Sequence, residues 1–598
     1  MILVFGGTTE GRRAAGALDE AGNPFLYSTV GDGQALTLRH ATRLTGAMDE
    51  EAICLTCRQG DIRLIVDAAH PFASTLHQSV ARAARRTGIP VIRYERIYPP
   101  RTEEGVTWCD DYDDAVRRIL QEGVATLVAT TGVKSIDRLA PLERAGVRCY
   151  YRILDREESR LMAREKGVGE ERLLYYAPDS IEGQIRALGT EGVTALLMKE
   201  SGASGGFEEK MRAARHLGMR IFAIRRPVMP RDFIVVDGIY GLRLEVERLL
   251  PRFFPLHSGL TTGTCATAAA IGALLMREGG RMPGRVPVVL PDGETIRVAV
   301  EYHEGYASAI KHAGDDPDVT DGIEIRARVD YKDNSDPEGI TIRGGEGIGL
   351  ITLPGLDYPV GDWAINKVPR QMIRHNMRLV SQRQLEVEIA APDGKRLASK
   401  TFNPRLGIEG GISIIGVSGI VKPFSEESFV ESIDKCMRVA KANYPDMVVV
   451  NSGAKSERFL RARFPLLPPQ SFVEYGNYVG EAIRLAGEAG FRHVVVGIMI
   501  GKAVKLAAGN TDTHSRRTQM DRHFVSGMVT EATGVDMSQE ISRITLARQL
   551  WQIVPGECVG RFARVVISHC LQVCRPLLPN GEIEVVLIDD AGHIYDME

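Results

Sequence analysis

Met1-Ile2-Leu3-Val4-Phe5-Gly6-Gly7-Thr8-Thr9-Glu10-Gly11 opens the chain, and a helix-like run to Gly22 follows. An apolar run, two glycines and an amphipathic stretch read as strand, tight turn and helix, the first step of a parallel α/β sheet. Glycine removes the Cβ that would hold backbone away from a phosphate. A helix start adds free N–H groups and the positive end of its dipole. Gly6, Gly7, Thr8, Thr9 and Glu10 are therefore the first candidates for holding a nucleotide. The spacing is not a full G-x-G-x-x-G, so an ordinary βα turn is the competing reading.

Outward from that turn, short β-rich runs alternate with helical ones as far as about Leu250. Strands are predicted at Ile2–Phe5, Phe25–Ser28, Leu64–Asp67, Val91–Arg93, Thr126–Thr130, Val193–Met198 and Arg220–Ile224, with helices such as Ser74–Thr87 and Glu208–Leu217 between them. This alternation predicts doubly wound α/β architecture. A break near Gln121–Ala125 and a second turn, Thr130-Thr131-Gly132, divide it into lobes of about 1–123 and 124–250, with a ligand cleft between them. Leu250-Pro-Arg-Phe-Phe-Pro-Leu256 carries two prolines and no periodicity, and residues 251–256 read as a linker. In 257–598, residues 286–329 alternate as strands of a mixed or antiparallel sheet. From about Gly407 the βαβ pattern returns, with strands at Met447–Val450 and His493–Val496. The expected fold class is multidomain α/β.

With 598 residues the chain is too long for one core. A net charge of −3 without a basic stripe argues against nucleic acid as a partner. No apolar run has the length of a membrane span. The first residues form a strand and a turn rather than a leader, so a cytoplasmic protein is expected. Nine cysteines, an odd number thinly spread, predict no disulfide framework. Cys54/Cys57 and Cys570/Cys574 lack matching partners and read as buried free thiols; no protein metal site is expected.

Asp67-Ala-Ala-His70-Pro71-Phe72-Ala73 follows a strand and begins a helix, which points His70 into the crevice at the carboxyl end of the sheet. Its alternative is a turn that Asp67 caps and His70 merely satisfies. Lys199-Glu-Ser201-Gly202-Ala-Ser204-Gly205-Gly206 occupies the same kind of position, and its hydroxyls, glycines and cation suit an anionic ligand. Together with Gly6–Gly11, Thr130-Thr131-Gly132-Val133-Lys134 and Ile224-Arg225-Arg226-Pro227, these motifs resemble the precorrin-6A reductase family of corrin biosynthesis over residues 1–250. The resemblance implies reduction of one macrocycle double bond with a nicotinamide cofactor, NADH or NADPH. His70 is then the candidate for proton delivery or substrate orientation, Lys199 a second catalytic candidate, and Ser201 a substrate contact. After the second strand, Asp32 stands without a neighbouring Lys or Arg, and an acid there favours NADH.

The second region begins His257-Ser-Gly259-Leu-Thr261-Thr262-Gly263-Thr264-Cys265-Ala266, hydroxyls and glycines running into an Ala-rich helix. Cys265 there reads as packing rather than as a nucleophile. Lys311-His312-Ala-Gly314-Asp315-Asp316-Pro-Asp318-Val-Thr320-Asp321 departs from a calcium-loop order and reads as a polar, ligand-facing loop. Then come Gly344-Gly-Glu346-Gly347-Ile-Gly349, Ala364-Ile-Asn366-Lys-Val-Pro369-Arg370, Thr401-Phe402-Asn403-Pro404-Arg405-Leu-Gly407 and Gly410-Gly411-Ile-Ser413, running on through Gly416 to Val421. Gly501-Lys502-Ala-Val-Lys505 and Asp512-Thr513-His514-Ser515 follow. This ordered set looks like the cobalt-precorrin-5B C1-methyltransferase family over about residues 256–598, with departures at His312 and Met499-Ile500. It implies S-adenosylmethionine as methyl donor and an S5-domain-like α+β part joined to a Rossmann-like part. Gly410, Gly411, Ser413 and Gly416 are the candidates for that cofactor. Thr261, Thr262, Asp315, Asp316, Arg370, Arg405, Lys502, Lys505 and His514 are the candidates for a substrate rich in carboxylates.

The two resemblances imply consecutive steps on one tetrapyrrole: methylation of cobalt-precorrin-5B gives the cobalt-precorrin-6A that a reductase of the first kind consumes. Fusion would hand a labile intermediate over at high effective concentration. A homo-oligomer and transient contact with other enzymes of the route are compatible with this reading. The rival reading joins a nucleotide-dependent oxidoreductase to a non-catalytic ligand-binding or assembly module.

Overall fold

Ile2–Phe5 forms β1, buried at every residue, and seeds a six-stranded sheet. The computed structural model describes all residues except 32–36, 97, 99–100, 102–103, 176–180, 190–191, 203–204, 333–338, 424, 516 and 598. On one side β1 pairs with β2 (Phe25–Thr29), which pairs with β3 (Ala41–Thr45). On the other side follow β4 (Leu64–Asp67), β5 (Val91–Tyr94) and β12 (Ile234–Val236), every pairing parallel. Phe5 stands level with Ser28 and with Asp67. The glycine turn and the His70 loop therefore leave from one edge of the sheet.

A second all-parallel sheet has the order β6-β11-β10-β7-β8-β9. Its strands are β6 (Val106–Cys109), β7 (Thr126–Ala129), β8 (Arg148–Ile153), β9 (Leu173–Tyr175), β10 (Ala195–Lys199) and β11 (Arg220–Ile224). Both sheets wind outward from an inner strand, β1 or β7, in two directions. The lobes interleave, which corrects the boundary expected at 123/124: β6 lies in the second sheet, and β12 returns to the first. The break near Gln121–Ala125 is only the turn after the helix Tyr112–Gln121, made by Gly123 at φ 61°. Local pattern identifies a strand but not the sheet that takes it.

The chain packs into two units, Met1–His257 with Asp292–Arg297, and Ser258–Pro291 with Val298–Glu598. Residues 251–256 are not a free linker. Phe253 and Phe254 are buried in the core of the first unit, and Asn23 Nδ2 donates to the Phe253 carbonyl at 2.5 Å.

In the second unit β13 (Gly259–Leu260) pairs with β23 (Ile420–Val421) and β20 (Leu350–Ile351) with β22 (Ile408–Glu409); β14 (Arg285–Val289) and β15 (Thr295–Ala299) form a hairpin whose residues 292–297 are counted with the first unit. A mixed sheet runs β16 (Glu301–His303), β17 (Tyr306–Ile310), β18 (Glu324–Tyr331), β21 (Leu385–Ala390) and β19 (Ile340–Gly344), antiparallel except for the last pair. Strand β18 turns Ile325, Ala327 and Val329 inward, the period-2 pattern of a sheet with one wet face. The helix Thr262–Arg277 packs on β17 and β18 and against the helix Lys367–Arg378, so it needs no polar face until its last turns.

The last sheet has the order β25-β24-β26-β27-β28: β24 (Met447–Asn451), β25 (Phe472–Glu474), β26 (His493–Met499) and β27 (Glu582–Ile588) parallel, β28 (Ile594–Tyr595) antiparallel. The valine runs 448–450 and 494–496 are buried throughout, as strands covered by helices on both faces require. Winding reverses between β24 and β26, where such sheets open a crevice at their carboxyl edge.

Candidate functional site

At the carboxyl edge of β1, the turn is built for close backbone approach. A Cβ on Gly6 would fall 2.3 Å from the Tyr27 hydroxyl, and Gly7 holds φ 96°. Thr8 caps the helix Thr9–Asp19: its hydroxyl accepts from Gly11 N–H at 2.9 Å and donates to the Ala68 carbonyl at 2.8 Å. Amides of the first turn thus remain for an anion. Glu10 is buried against Arg96 at 3.1 Å, so it neutralises a cation rather than meeting a ligand. Asp32 lies outside the described residues. Arg43 stands in register beside Tyr27. The Tyr27 hydroxyl is raised by burial, and the nearby Arg12 and Arg43 charges act against that rise. Cations therefore do reach this edge.

Beside it lies a buried ionic network. Asp67, with no exposed surface, takes His77 Nδ1 at 2.6 Å and Arg93 at 3.0 Å; Arg93 also reaches Glu95 at 3.2 Å. His77 Nε2 meets the His70 carbonyl at 3.1 Å and so fixes the His70 loop. His70 Nδ1 accepts the Phe72 N–H at 3.2 Å. Burial, with the Arg96 and Lys199 charges, pulls His70 down to about 3. The near-neutral proton donor expected at His70 is thereby corrected. A ring so depressed is a neutral imidazole near pH 7.

Lys199 ends β10 and faces His70. Its Nζ lies 5.2 Å from the Phe72 ring centroid and 5.9 Å from that of Tyr112. Burial lowers it to about 8, and no carboxylate pairs with it among the described residues. A largely protonated ammonium with so accessible a pKa is an effective general acid. Next to it, Glu200 is clamped by Arg101 at 2.8 and 2.9 Å and by the Arg226 N–H at 2.9 Å. The Ser201 hydroxyl donates to the Gly205 carbonyl at 3.2 Å, and the Ser201 carbonyl takes Arg96 at 2.7 Å. Ser201 therefore shapes its loop instead of presenting a free hydroxyl.

The second unit separates its candidates into two groups. Thr261 and Thr262 are buried. Thr261 caps its helix, and Thr262 Oγ1 takes the Ile415 N–H at 2.8 Å. Gly411 packs on Gly347 backbone, where a Cβ would fall 2.1 Å from the Gly347 carbonyl oxygen; Gly416, at φ 135°, packs on Thr261. The Ser413 hydroxyl bonds Asn403 at 3.0 Å. Gly410, with φ 83°, turns the chain there. Gly411 thus serves backbone-to-backbone packing, Gly416 makes room for the Thr261 side chain and Ser413 is taken up by Asn403, which corrects the cofactor role expected of these three, while a Cβ on Gly410 would meet nothing within 4 Å. Arg370 is corrected likewise, with its guanidinium spent on the Ile365 carbonyl at 2.8 Å and Asp362 at 3.0 Å. In the acidic loop Asp318 pairs with buried Lys311 at 2.8 Å and Asp321 holds Ala313 N–H at 2.7 Å, while Asp315 is exposed and Asp316 half-buried. No group of metal-ligating side chains occurs among the described residues.

Lys502, Lys505, His514 and Arg405 come together at the carboxyl edge of the last sheet. Lys502 Nζ bonds the Gly476 carbonyl and lies 3.5 Å from that of Ser452, so it ties the ends of β25 and β24; burial lowers it to about 8. Lys505 Nζ donates to the Thr513 carbonyl at 3.0 Å, next to His514, whose N–H bonds Asp512. Arg405 is paired with Glu457 at 2.9 Å and Glu474 at 3.6 Å, so it is not waiting for a substrate carboxylate. Asn451-Ser452-Gly453 and Glu474 were missed at sequence level. The readable signal was a strand ending in Asn-Ser-Gly before a helix.

All nine cysteines are free; all but the half-buried Cys558 are buried, and burial pushes the Cys265 thiol up to about 12, away from the thiolate a nucleophile needs.

Comparison with known proteins now bears on this geometry. A cobalt-precorrin-5B C(1)-methyltransferase of Prosthecochloris aestuarii is 42% identical over 347 residues, 56% of this chain and 94% of that protein. The chain belongs to the cobalt-precorrin-5B C(1)-methyltransferase family. A second member, from a Geobacillus species, is 37% identical over 351 residues, 57% of this chain and 95% of that protein. Within the chain, the CbiD family model matches residues 252–423, and the model described as precorrin-6x reductase CbiJ/CobK matches residues 1–240. A solved CobK precorrin-6A reductase overlays with a TM-score of 0.35 at 23% identity, over 42% of this chain and 97% of that one, too loose to add to the family match. No described helix is long and apolar enough to cross a membrane.

Proposed function

We propose that the second unit methylates cobalt-precorrin-5B at C1 with S-adenosylmethionine and that the first reduces the resulting cobalt-precorrin-6A to cobalt-precorrin-6B with NADPH, in place of the NADH expected from Asp32. The chain is accordingly a bifunctional enzyme of cobalamin biosynthesis, methyltransferase and reductase in one polypeptide. The strand orders support this reading: the two parallel sheets of the first unit wind outward from β1 and β7, and the last sheet has the 2-1-3-4-5 order of the other common doubly wound arrangement. The mixed sheet with its Ala-rich helix is the part that we assign to the S5-like domain of the methyltransferase reading.

The observation that carries the reductase reading is Lys199, a half-buried ammonium without a carboxylate partner among the described residues, in the crevice that also holds His70 and the glycine turn. A reduced nicotinamide bound there supplies a hydride. Lys199 gives the proton to the neighbouring macrocycle atom, and His70, neutral and pinned through His77, orients the ring edge. The first-turn amides after Gly7 would hold the pyrophosphate, and Arg43 would meet the 2′-phosphate. Replacing Arg43 with Ala should raise KM for NADPH about tenfold, the worth of one charge-assisted contact, and leave KM for NADH unchanged. Equal loss with both nucleotides would refute the 2′-phosphate role.

Two separate cofactor sites make a direct test by calorimetry. One NADPH and one S-adenosylhomocysteine should bind per chain, each with an affinity that saturation by the other leaves unchanged. Mutual displacement, or binding of only one of them, would overturn the two-site reading.

A further inference from the structure

The carboxyl edge of the last sheet carries polar groups that the fold uses up only in part: Asn451 is one, and Glu474, whose Oε2 pairs with Arg405 at 3.6 Å, is another. Asn451, at the end of β24, has no exposed surface. Its Oδ1 accepts the Gly453 N–H at 3.0 Å, while its Nδ2 has no partner among the described residues. A buried amide donor left in this way costs stability unless something else receives its proton. Directly after it, the helix Ala454–Arg463 begins at Gly453, φ 142°, with no side chain capping its first turn. Donors at the start of a ten-residue helix and a buried amide N–H together describe an acceptor-bearing, anionic group.

An acceptor lies across the same turn. Glu474, half-buried at the end of the adjacent strand β25, has Oε1 only 3.4 Å from the position a Cβ on Gly453 would take. A carboxylate at the end of the strand next to the first strand is placed to accept from a ribose diol. The crevice lies where the winding reverses, between β24 and β26, and Lys502 braces its rim by bonding the Gly476 carbonyl.

The geometry points to this edge, not to the glycine segment 410–421, as the S-adenosylmethionine site. The uncapped helix start and Asn451 Nδ2 receive the carboxylate of the methionyl end, and Glu474 receives the ribose hydroxyls. This assignment rests on the methyltransferase reading above and adds the place and the contacts. Gly453 is glycine because its φ of 142° is a conformation that L side chains rarely adopt.

Two ligands separate the two ends of the site: S-adenosylhomocysteine, which carries the amino-acid group, and 5′-methylthioadenosine, which lacks it. Asn451→Asp keeps the acceptor that Gly453 uses and replaces the donor with a repelling oxygen. In the full chain it should weaken S-adenosylhomocysteine at least about tenfold and leave 5′-methylthioadenosine within about twofold. Glu474→Gln should weaken both ligands by about tenfold, because both carry the ribose. If Asn451→Asp does not fold, the Glu474→Gln result decides. Variants that bind both ligands as the wild type does would overturn the location and leave the methyltransferase reading standing. A wild-type chain that binds neither ligand would overturn that reading itself.

Discussion

Lys199→Met is expected to lower the kcat of reduction by about 10²–10⁴-fold, the usual worth of a positioned general acid, and to leave methyl transfer at its wild-type rate. The charge on Lys199 is held in a crevice whose burial lowers the ammonium to about 8. The sign of the pH dependence follows. Below about 8 the group carries its proton and the reductase is competent; as pH rises through about 8 the acid is lost and kcat falls. The residual activity of Lys199→Met should lack that alkaline limb. His70 contributes no limb between pH 5 and 8, because its ring is neutral throughout that range. His70→Asn should therefore raise KM or lower kcat without moving the pH profile. A profile that shifts with His70 and not with Lys199 would exchange the two roles.

The second large effect is on stability. Gly411→Ala should destabilise the second unit by about 3 kcal/mol or more, because the added methyl meets the Gly347 carbonyl carbon and oxygen and no flexible side chain stands there to yield. That corresponds to a fall in Tm of about 4 °C or more for a unit of this size. At temperatures where the variant is folded, its affinity for S-adenosylhomocysteine should equal that of the wild type. Thermal unfolding and calorimetry together check this. An unchanged Tm with weakened cofactor binding would return the segment 410–421 to the cofactor.

These two residues also mark what the sequence conveys and what it withholds. Lys199 was readable because it stands at the end of a strand and before a glycine-rich turn, a position whose geometry is local. The glycine turn at 6–7 was readable for the same reason. Gly411 was legible as a place of close approach, but not as to what approaches: a ligand and a second backbone demand the same missing Cβ, and only the fold brings Gly347 to that spot. Arg370 and Arg405 pose the charge version of the problem. A guanidinium suits a substrate carboxylate and a protein carboxylate alike, and Asp362, Glu457 and Glu474 are distant or unremarkable in sequence. The fold class was visible in the alternation of strand and helix, whereas the interleaving of β6 and β12 between the two sheets was not, since sheet membership depends on long-range pairing. Asn451 went unnoticed because a single amide after a valine run looks like any turn until its buried, unpartnered nitrogen is seen.

The most direct test of two consecutive activities in one chain is the mass of the product. Purified protein would be incubated anaerobically with cobalt-precorrin-5B and S-adenosylmethionine, with and without NADPH. One methyl gained without NADPH, and two further hydrogens gained only with it, is the expected result. No methyl gain beside a working methyltransferase control, or a methylated product that NADPH leaves unreduced, would contradict the assignment of both steps to this polypeptide.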